Sequence, residues 1–281
     1  MPELALAAQN AETPPRHRQR LETPVFFMHI AKTAGSYLNE RFADALGEAA
    51  VETHIEQSIG NTLDLKAALQ IGKRFFSGHV MLGLWDDISG AIAGEFSMIT
   101  VLRNPIEHLA SHIQWLDHYN NPEQNSSYAA LDEAHRRIVD RIGAVDLSDI
   151  GQLDDFLTGL SGTEVRLFDN CQSRYFIMSG RRDIDCIRPL SLSDRSNVAA
   201  SLARFDAVAC QDQLEKDLSK IGAATGAGLS FVDRRVNAAQ SERWIDTRHP
   251  LVRQVLSKRT IVDQWLWQRV RHQPPDRPAN D

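Results

Sequence analysis

The sequence contains few cysteines, no excess of basic residues and no long apolar run. Its three cysteines show no Cys-x-x-Cys spacing, so neither a disulfide framework nor a zinc site is indicated. The net charge of −6 argues against nonspecific binding to nucleic acid. Because no apolar run approaches the ~18–20 residues that span a bilayer, we predict no membrane span and a cytoplasmic location.

The chain does have enough apolar sequence for one large core. It contains 281 residues, of which 42% are hydrophobic, and no change of composition in its middle marks a linker. Residues 1–23 are rich in alanine and then in proline and arginine, which is typical of a disordered arm. We therefore predict a single domain over 24–272, preceded by that arm and followed by a frayed tail over 273–281.

An anion-binding pattern begins near residue 25. The apolar run Val25–Ile30 predicts a buried strand, the small residues 31–35 predict a loop, and Ser36 begins a helical pattern. The first N–H groups of a helix have no internal partners and lie at its positive end, so they attract anions. Lys32 adds a full charge inside the loop. The G-x-x-x-x-G-K-[ST] pattern of nucleoside-triphosphate sites is nevertheless absent, because this lysine precedes Gly35.

A second polar group follows another apolar run, over 96–102. Arg103 leaves the end of this predicted strand, and Asn104 and Pro105 suit the N-cap and the first position of a helix. Ser111 lies eight residues beyond Arg103, about two turns along that helix. A guanidinium group can bind a phosphate through two hydrogen bonds, and a hydroxyl adds a further donor.

These segments resemble the cofactor-binding motifs of sulfotransferases. His29-Ile-Ala-Lys-Thr-Ala-Gly-Ser36 is similar to the loop that holds the 5′-phosphosulfate of 3′-phosphoadenosine 5′-phosphosulfate (PAPS) in that family. Arg103 and Ser111 match the spacing of the family's pair that binds the 3′-phosphate. At the loop, the resemblance implies cofactor binding by Ala31, Lys32, Thr33, Ala34, Gly35, Ser36 and Tyr37.

Two further segments resemble the heparan sulfate 2-O-sulfotransferase branch of the family. Phe75–Met81 is similar to a strand-end Gly-His of that branch, whose histidine, here His79, is the proposed base for the acceptor hydroxyl. The segment 169–180 is similar to its Asn-x-Gln-Thr-Arg motif. Gln172 and Arg174 are therefore candidate contacts to the cofactor or to an acidic sugar, with core packing as the alternative.

The loop departs from the family pattern at three positions. Ala31 stands where the family has proline, Ala34 where it has a glycine, and Tyr37 where it has a small hydroxyl residue. An alanine at 34 is tolerable only if its φ is negative, because a Cβ atom penalises the left-handed region, and cofactor affinity could otherwise suffer there.

Strands and helices alternate along the chain, which predicts a parallel sheet with right-handed crossovers and ligands beyond the carboxyl ends of its strands. We therefore predict the fold class α/β, with a central parallel sheet flanked by helices and a helix-rich C-terminal half, and the resemblance implies a P-loop-like three-layer fold. Strands are predicted at 24–30, 74–79, 95–102 and 206–209, a loop or lid at 119–127, and helices at 36–46, 61–70, 105–118, 128–143, 149–159, 164–178, 194–204, 212–225 and 251–271.

The resemblance implies a PAPS-dependent O-sulfotransferase of the carbohydrate branch, with a glycan hydroxyl as acceptor. Lys32 and the amides of 33–37 would neutralise the leaving phosphate, and PAPS would be the co-substrate without any metal. His79 would take the proton of the acceptor. The segments 119–148 and 226–250, which show no family pattern, would select the acceptor. The oligomeric state is not indicated.

Two other functions stay open. One is a Mg²⁺-dependent nucleotide kinase or hydrolase, which needs carboxylates after a strand, and the other is a protein that binds PAPS without turnover. Glu40, His54 and His29 are alternative bases, although His29 is expected to point into the core. Arg103 could instead pair with a carboxylate such as Asp44.

His108 and His112 are four residues apart on one predicted helix face, as metal ligands can be. Without a third ligand or an H-E-x-x-H pattern, we expect them to be surface or cleft residues and predict no metal.

Overall fold

The computed structural model of the protein describes residues 21–60, 63–177, 188–233 and 244–272. Its centre is a sheet of five parallel strands in the order β2-β3-β1-β4-β5. This arrangement confirms the predicted α/β fold. The strands are β1 (Val25–Met28), β2 (Val51–Thr53), β3 (Phe75–Gly78), β4 (Ser97–Leu102) and β5 (Ala207–Cys210).

Four of these strands lie where the sequence predicts them, and β2 does not. The residues of β1, β3 and β5 are all buried, because a parallel sheet is covered on both faces and its strands read as continuous apolar runs. In contrast, β2 has three residues at the sheet edge, and its central Glu52 forms an ion pair with Lys73 at 2.9 Å. So short a segment with a charge at its centre carries no strand pattern.

Helices flank the sheet and dominate the C-terminal half. Among them α3 was not predicted. The helices are α1 (Gly35–Leu46), α2 (Leu65–Gln70), α3 (Leu82–Ser89), α4 (Pro105–Asp117), α5 (Asn125–Ala130), α6 (Glu133–Gly143), α7 (Ile150–Thr158), α8 (Thr163–Phe168), α9 (Cys171–Ile177), α10 (Arg195–Leu202), α11 (Leu214–Thr225), α12 (Pro250–Ser257) and α13 (Ile261–Arg271).

The two faces of the sheet bury different helices, because successive side chains of a strand point to opposite sides. Phe26 and Met28 belong to a cluster that includes residues of α3, α9, α10 and α13. Val25 and Phe27 belong to a second cluster with residues of α1 and α11. A third cluster joins α4, α6, α7, α8 and α12 into a helical layer. Helix α4 follows β4 directly and connects this layer to the sheet.

Three helices predicted as continuous are each divided in two. Asp132 separates α5 from α6 and caps the latter by accepting a hydrogen bond from the N–H of His135. Asn170 adopts φ 49° between α8 and α9, and residues 258–260 separate α12 from α13. The predicted loop at 119–127 is also partly wrong, since it contains 3₁₀ turns and the start of α5. In the second and third pairs both helices bury apolar residues, so the helical periodicity runs on across the break. In the first pair α5 has no fully buried residue, and its Tyr128 packs partly buried against the third cluster.

Most of the predicted arm, 1–20, and the predicted tail, 273–281, lie outside the described residues, as do 61–62 of a predicted helix. Of the arm's last three residues, Leu21 is buried and packs in the cluster that contains Val25. Within the described ranges, no helix is long and apolar enough to cross a membrane. The cytoplasmic location stays a prediction.

Candidate active site

The loop between β1 and α1 presents an open helix N-terminus. Lys32 has φ 66° and Ala34 has φ 73°, so both lie in the left-handed region. Ala34 is the N-cap of α1, and its methyl group cannot accept a hydrogen bond from the first N–H groups of the helix. A left-handed residue followed by a helical one also turns successive N–H groups toward one concave side. The loop therefore has the backbone geometry of an anion site.

The condition of a negative φ at Ala34 is not met. A left-handed alanine costs roughly 1–2 kcal/mol, so other contacts must hold the loop in this conformation. Thr33 Oγ1 donates to the carbonyl oxygen of Ile30 at 2.8 Å. His108 Nε2, from α4, donates to the carbonyl oxygen of Ala31, also at 2.8 Å. The loop is thus fixed both from within and from a helix distant in sequence.

Gly35 allows the ring of His29 to lie against the start of α1. A Cβ atom at Gly35 would lie 1.8 Å from His29 Nε2, which leaves no room for any other residue. Burial, together with the nearby His79 and His54, lowers the pKa of His29 to about 3. His29 is therefore a neutral, interior ring, as expected from the sequence, and is poorly placed to act as a base.

Arg103 reaches the same loop from the neighbouring strand. It follows β4, which pairs with β1, and its Nη1 donates to the carbonyl oxygen of Lys32 at 3.2 Å. The pKa of Lys32 is lowered from its usual 10.5, first by burial and then by the positive charge of Arg103. Two cations held this close repel each other, and a bound anion would relieve that repulsion.

Gln172 holds the backbone of Arg103 from both sides. The N–H of Arg103 donates to Gln172 Oε1 at 2.9 Å, and Gln172 Nε2 donates to the Arg103 carbonyl oxygen at 3.0 Å. Gln172 is itself buried at the start of α9. Its side chain therefore fixes where Arg103 leaves the strand, a role that the sequence did not indicate.

Ser111 lies two turns along α4 from Arg103 and is partly exposed. The predicted start of this helix is confirmed, with Pro105 in its first turn. Asn104 Oδ1 accepts from the N–H groups of Ile106 and Glu107. Since this N-terminus is capped by a side chain, an anion near α4 would depend on the Arg103 and Ser111 side chains.

His79 follows β3, the neighbour of β1 on its other side. Its Nδ1 lies 2.8 Å from the carbonyl oxygen of His29. A carbonyl oxygen can only accept, so Nδ1 carries the proton of the neutral ring and Nε2 keeps a lone pair. The N–H of His79 donates to Glu56 Oε2 at 3.0 Å. With its side chain exposed, this imidazole has the tautomer that a general base needs.

Glu56 is a site residue that sequence reasoning missed. Besides holding the backbone of His79, its carboxylate lies 3.5 Å from His54 Nδ1. Glu56 follows β2, so recognising that strand would have placed a carboxylate at the same sheet edge. His54, an alternative base, is exposed and takes φ 57°.

The remaining alternatives have identifiable neighbours. Glu40 lies on α1 with a carboxylate oxygen 3.8 Å from Arg41. Asp44, the suggested partner of Arg103, pairs with Arg41 at 2.8 Å. Arg174 is fully buried and pairs with Asp169 at 2.8 Å, which favours the structural alternative for its role.

His108 and His112 are not surface or cleft residues, contrary to the expectation. They are 1% and 3% exposed on the inner face of α4, because this helix is packed between the sheet edge and the third apolar cluster. Burial is the main cause that lowers the pKa of His108 to about 4 and that of His112 to about 3, so both rings are neutral near pH 7.

No protein-family model and no curated protein matches the chain. Among solved structures, the chain is similar to a sulfotransferase from Alicyclobacillus acidocaldarius, with 11% sequence identity and a TM-score of 0.42. The alignment covers 90% of this chain and 97% of that one. A likeness this distant supports no conclusion about activity, so function must be inferred from the chain's own residues.

Proposed function

We propose that the protein is a sulfotransferase that moves the sulfuryl group of PAPS to an acceptor hydroxyl. The observation that carries this proposal is the order of three neighbouring strands, in which β3 leads to His79, β1 to Lys32 and β4 to Arg103. Because the strands are parallel, all three residues follow the same edge of the sheet. The proposed base, the anion-binding loop and the proposed phosphate-binding cation therefore lie side by side along this edge. Each belongs to a segment whose sequence resembles a sulfotransferase motif.

The transfer step needs stabilisation of the charge that develops on the leaving phosphate. In this proposal Lys32 and the amides of 33–37 contact the 5′-phosphosulfate, where the open N-terminus of α1 favours negative charge. The acceptor oxygen attacks sulfur, and the bond from sulfur to the bridging phosphate oxygen breaks. Adenosine 3′,5′-bisphosphate then leaves with the electron pair of that bond. Such preorganised donors are worth about 10²–10³ in rate each.

His79 is the proposed base of this step. Its Nε2 accepts the hydroxyl proton as the acceptor oxygen attacks, while Nδ1–H stays bonded to the carbonyl oxygen of His29. Glu56 supports the geometry by accepting the N–H of His79, and it is a positioning residue because it acts through that backbone.

Arg103 and Ser111 are the proposed ligands of the 3′-phosphate, the group that distinguishes PAPS from ordinary adenine nucleotides. The guanidinium already contacts the loop at the Lys32 carbonyl, so the two ends of one nucleotide could be bound from adjacent strands. The two hydrogen bonds from the Gln172 side chain to the Arg103 backbone, which we call the Gln172 clamp, keep the distance between Arg103 and the loop constant.

For the acceptor we propose a carbohydrate hydroxyl, in line with the resemblance of the His79 and 169–180 segments to the heparan sulfate branch. The segments 119–148 and 226–250 would provide selectivity. Part of the second, 234–243, lies outside the described residues.

The kinase or hydrolase alternative needs carboxylates for Mg²⁺ beside the loop. Among the described residues that directly follow β1, β3 and β4, the ionisable side chains are histidine, lysine and arginine. The nearby carboxylate of Glu56 is engaged by the His79 N–H. These contacts favour a metal-independent donor such as PAPS.

Calorimetry with adenosine 3′,5′-bisphosphate and with ATP, each with and without Mg²⁺, tests the donor class. We expect the bisphosphate to bind more tightly and its affinity to be insensitive to Mg²⁺. A preference for ATP together with Mg²⁺ would remove the proposal. Transfer of labelled sulfuryl from PAPS to a panel of desulfated glycans then separates an enzyme from a protein that only binds.

A further inference from the structure

Three buried side chains meet beneath the loop. His108 and His112 project from successive turns of α4, and Cys171 is the first residue of α9. Their potential ligand atoms, one ring nitrogen from each histidine and the cysteine sulfur, all lie within 4.8 Å of one another. All three residues are buried, with Cys171 at 7% exposed. The sequence did not suggest this cluster, because the third member lies on a different helix.

His108 has the hydrogen bond that commonly orients a metal-binding histidine. Its Nε2 donates to the carbonyl oxygen of Ala31, so the neutral ring keeps its lone pair on Nδ1. Metal-ligating histidines generally donate their other ring N–H to a carbonyl or carboxylate in this way. The ring is therefore fixed in one tautomer and one orientation before any metal arrives.

His112 supplies a second, independent observation. Its Nδ1 is buried, and no hydrogen-bond partner lies within the described part of the chain. The ring packs against Trp115 and, edge to face, against Phe168, at centroid distances of 5.7 Å. Leaving a polar atom unpaired in such surroundings costs roughly 1–3 kcal/mol. A buried nitrogen without a hydrogen-bond partner needs an explanation, and coordination of a metal ion is one.

We propose that His108, His112 and Cys171 bind one Zn²⁺ ion beneath the loop. Two imidazole nitrogens and a thiolate are donors that zinc prefers, whereas Mg²⁺ and Ca²⁺ prefer oxygen. Tetrahedral zinc with these ligands requires ligand atoms roughly 3.3–3.6 Å apart, so the side chains close inward by up to about 1 Å. Three protein ligands leave the fourth position for a water molecule.

On binding, the Cys171 thiol releases its proton to solvent and the sulfur donates an electron pair to zinc. The ion and the thiolate together add one net positive charge below Lys32 and Arg103. The ion takes no part in sulfuryl transfer. It links α4 to α9, and through the His108–Ala31 hydrogen bond it braces the loop from below. This site departs from the prediction that the protein contains no metal, which was based on the transfer chemistry and on sequence spacing.

Metal content of the purified full-length, tag-free protein tests the proposal. After incubation with zinc chloride and exhaustive dialysis, we expect one zinc per chain by elemental analysis. Cys171→Ser and His112→Gln should lose this zinc. The matched control is Cys210→Ser, because Cys210 is also a buried free cysteine but lies in β5; this variant should keep the metal.

Cobalt and thermal unfolding provide readouts that do not depend on activity. Co²⁺ should give a thiolate charge-transfer band with the wild type and with Cys210→Ser, and none with Cys171→Ser. Zinc should raise the Tm of the wild type and of Cys210→Ser and leave the Tm of Cys171→Ser unchanged. Arg103→Ala should bind zinc normally, which separates this proposal from the one about PAPS. Wild type without stoichiometric zinc, or Cys171→Ser that retains it, would overturn the inference.

Discussion

Ala34 is the residue at which the backbone and the sequence disagree most clearly. It adopts a left-handed conformation at the N-cap of α1, a position at which the sulfotransferase loop that this segment resembles has glycine. Because glycine adopts this region without a Cβ penalty, Ala34→Gly should stabilise the protein by about 1 kcal/mol. The midpoint of urea unfolding measures this gain.

The matched control for that change is Ala43→Gly, inside the same helix. There the backbone is helical, so glycine should destabilise by roughly 0.5–1 kcal/mol. If both substitutions shift the urea midpoint in the same direction, the effect of Ala34→Gly on stability does not come from the left-handed conformation of Ala34.

His79→Ala should reduce the rate of sulfuryl transfer by about 10²–10⁴ while the affinity for adenosine 3′,5′-bisphosphate stays within about twofold. The reason is that the imidazole would contact the acceptor and not the nucleotide. Turnover with labelled PAPS and calorimetry measure the two quantities. His272→Ala, at the exposed C-terminal end of α13, is the control and should change neither. An unchanged rate in His79→Ala would assign the base elsewhere.

Local sequence motifs were sufficient to predict where three residues of the candidate site lie. Lys32, Arg103 and His79 each lie at or just after the end of a predicted strand, so their places at the ends of β1, β4 and β3 could be predicted. The φ of Ala34 could not, because the loop is held by a hydrogen bond from His108 that no local pattern reveals. Glu56 was missed because β2 is too short to show a period.

At the scale of elements, α9 connects the end of β4, at Arg103, to α13. Asp263 in α13 accepts from the N–H groups of Gln172 and Ser173. In return, Asn170, just before α9, accepts from the N–H groups of Val262 and Asp263. The two helices thus cap each other, which fixes the start of α9 and with it the Gln172 side chain.

Gln172→Ala removes both hydrogen bonds that this helix makes to the backbone of Arg103. We expect the affinity for adenosine 3′,5′-bisphosphate to fall on the order of 10-fold, since a small displacement of a positioned group is costly. Stability should fall by about 1–3 kcal/mol because partly buried backbone groups lose their partner.

Gln264→Ala is the control, since Gln264 lies on α13 and bonds to Thr260 Oγ1 within its own segment. It should leave nucleotide affinity unchanged. Equal losses of nucleotide affinity in Gln172→Ala and Gln264→Ala would mean that the two hydrogen bonds of Gln172 do not position Arg103 for binding.

We predict that the stability of the protein depends on pH through His29, the residue that follows β1. His29 has a folded pKa of about 3, below its usual 6.5, because its ring is buried. Between these values the unfolded chain binds a proton that the folded chain does not, so stability falls as pH falls below 6.5. His29→Gln should flatten the slope of unfolding free energy against pH by up to about 1.4 kcal/mol per unit. Urea unfolding at pH 7, 6 and 5 checks this, and identical slopes would contradict it.

The elements themselves were predicted to different degrees for physical reasons. Buried strands such as β4 carry a continuous apolar run and were found. The break at Asn170 was not, because the apolar faces of α8 and α9 continue one pattern across it. The residue at the break, Asn170, is held by tertiary contacts with α13, because its Oδ1 accepts from the N–H groups of Val262 and Asp263.

At the scale of the whole molecule, the strand order decides which residues meet. Alternating strands and helices predicted a parallel sheet, but not that β1 lies between β3 and β4. That order brings the loop lysine between the histidine and the arginine. The meeting of Cys171 with the histidines of α4 likewise depends on packing between helices far apart in the chain.

The most direct test of the central claim compares two nucleotides on three proteins by calorimetry. Wild type should bind adenosine 3′,5′-bisphosphate about 10–100-fold more tightly than adenosine 5′-monophosphate, because charged hydrogen bonds to the 3′-phosphate contribute roughly 1.5–3 kcal/mol. Arg103→Ala should lose that preference, whereas Arg137→Ala, an exposed arginine of α6, should keep it. If Arg103→Ala still prefers the bisphosphate as strongly as wild type does, Arg103 does not bind the 3′-phosphate and the proposed nucleotide site is wrong.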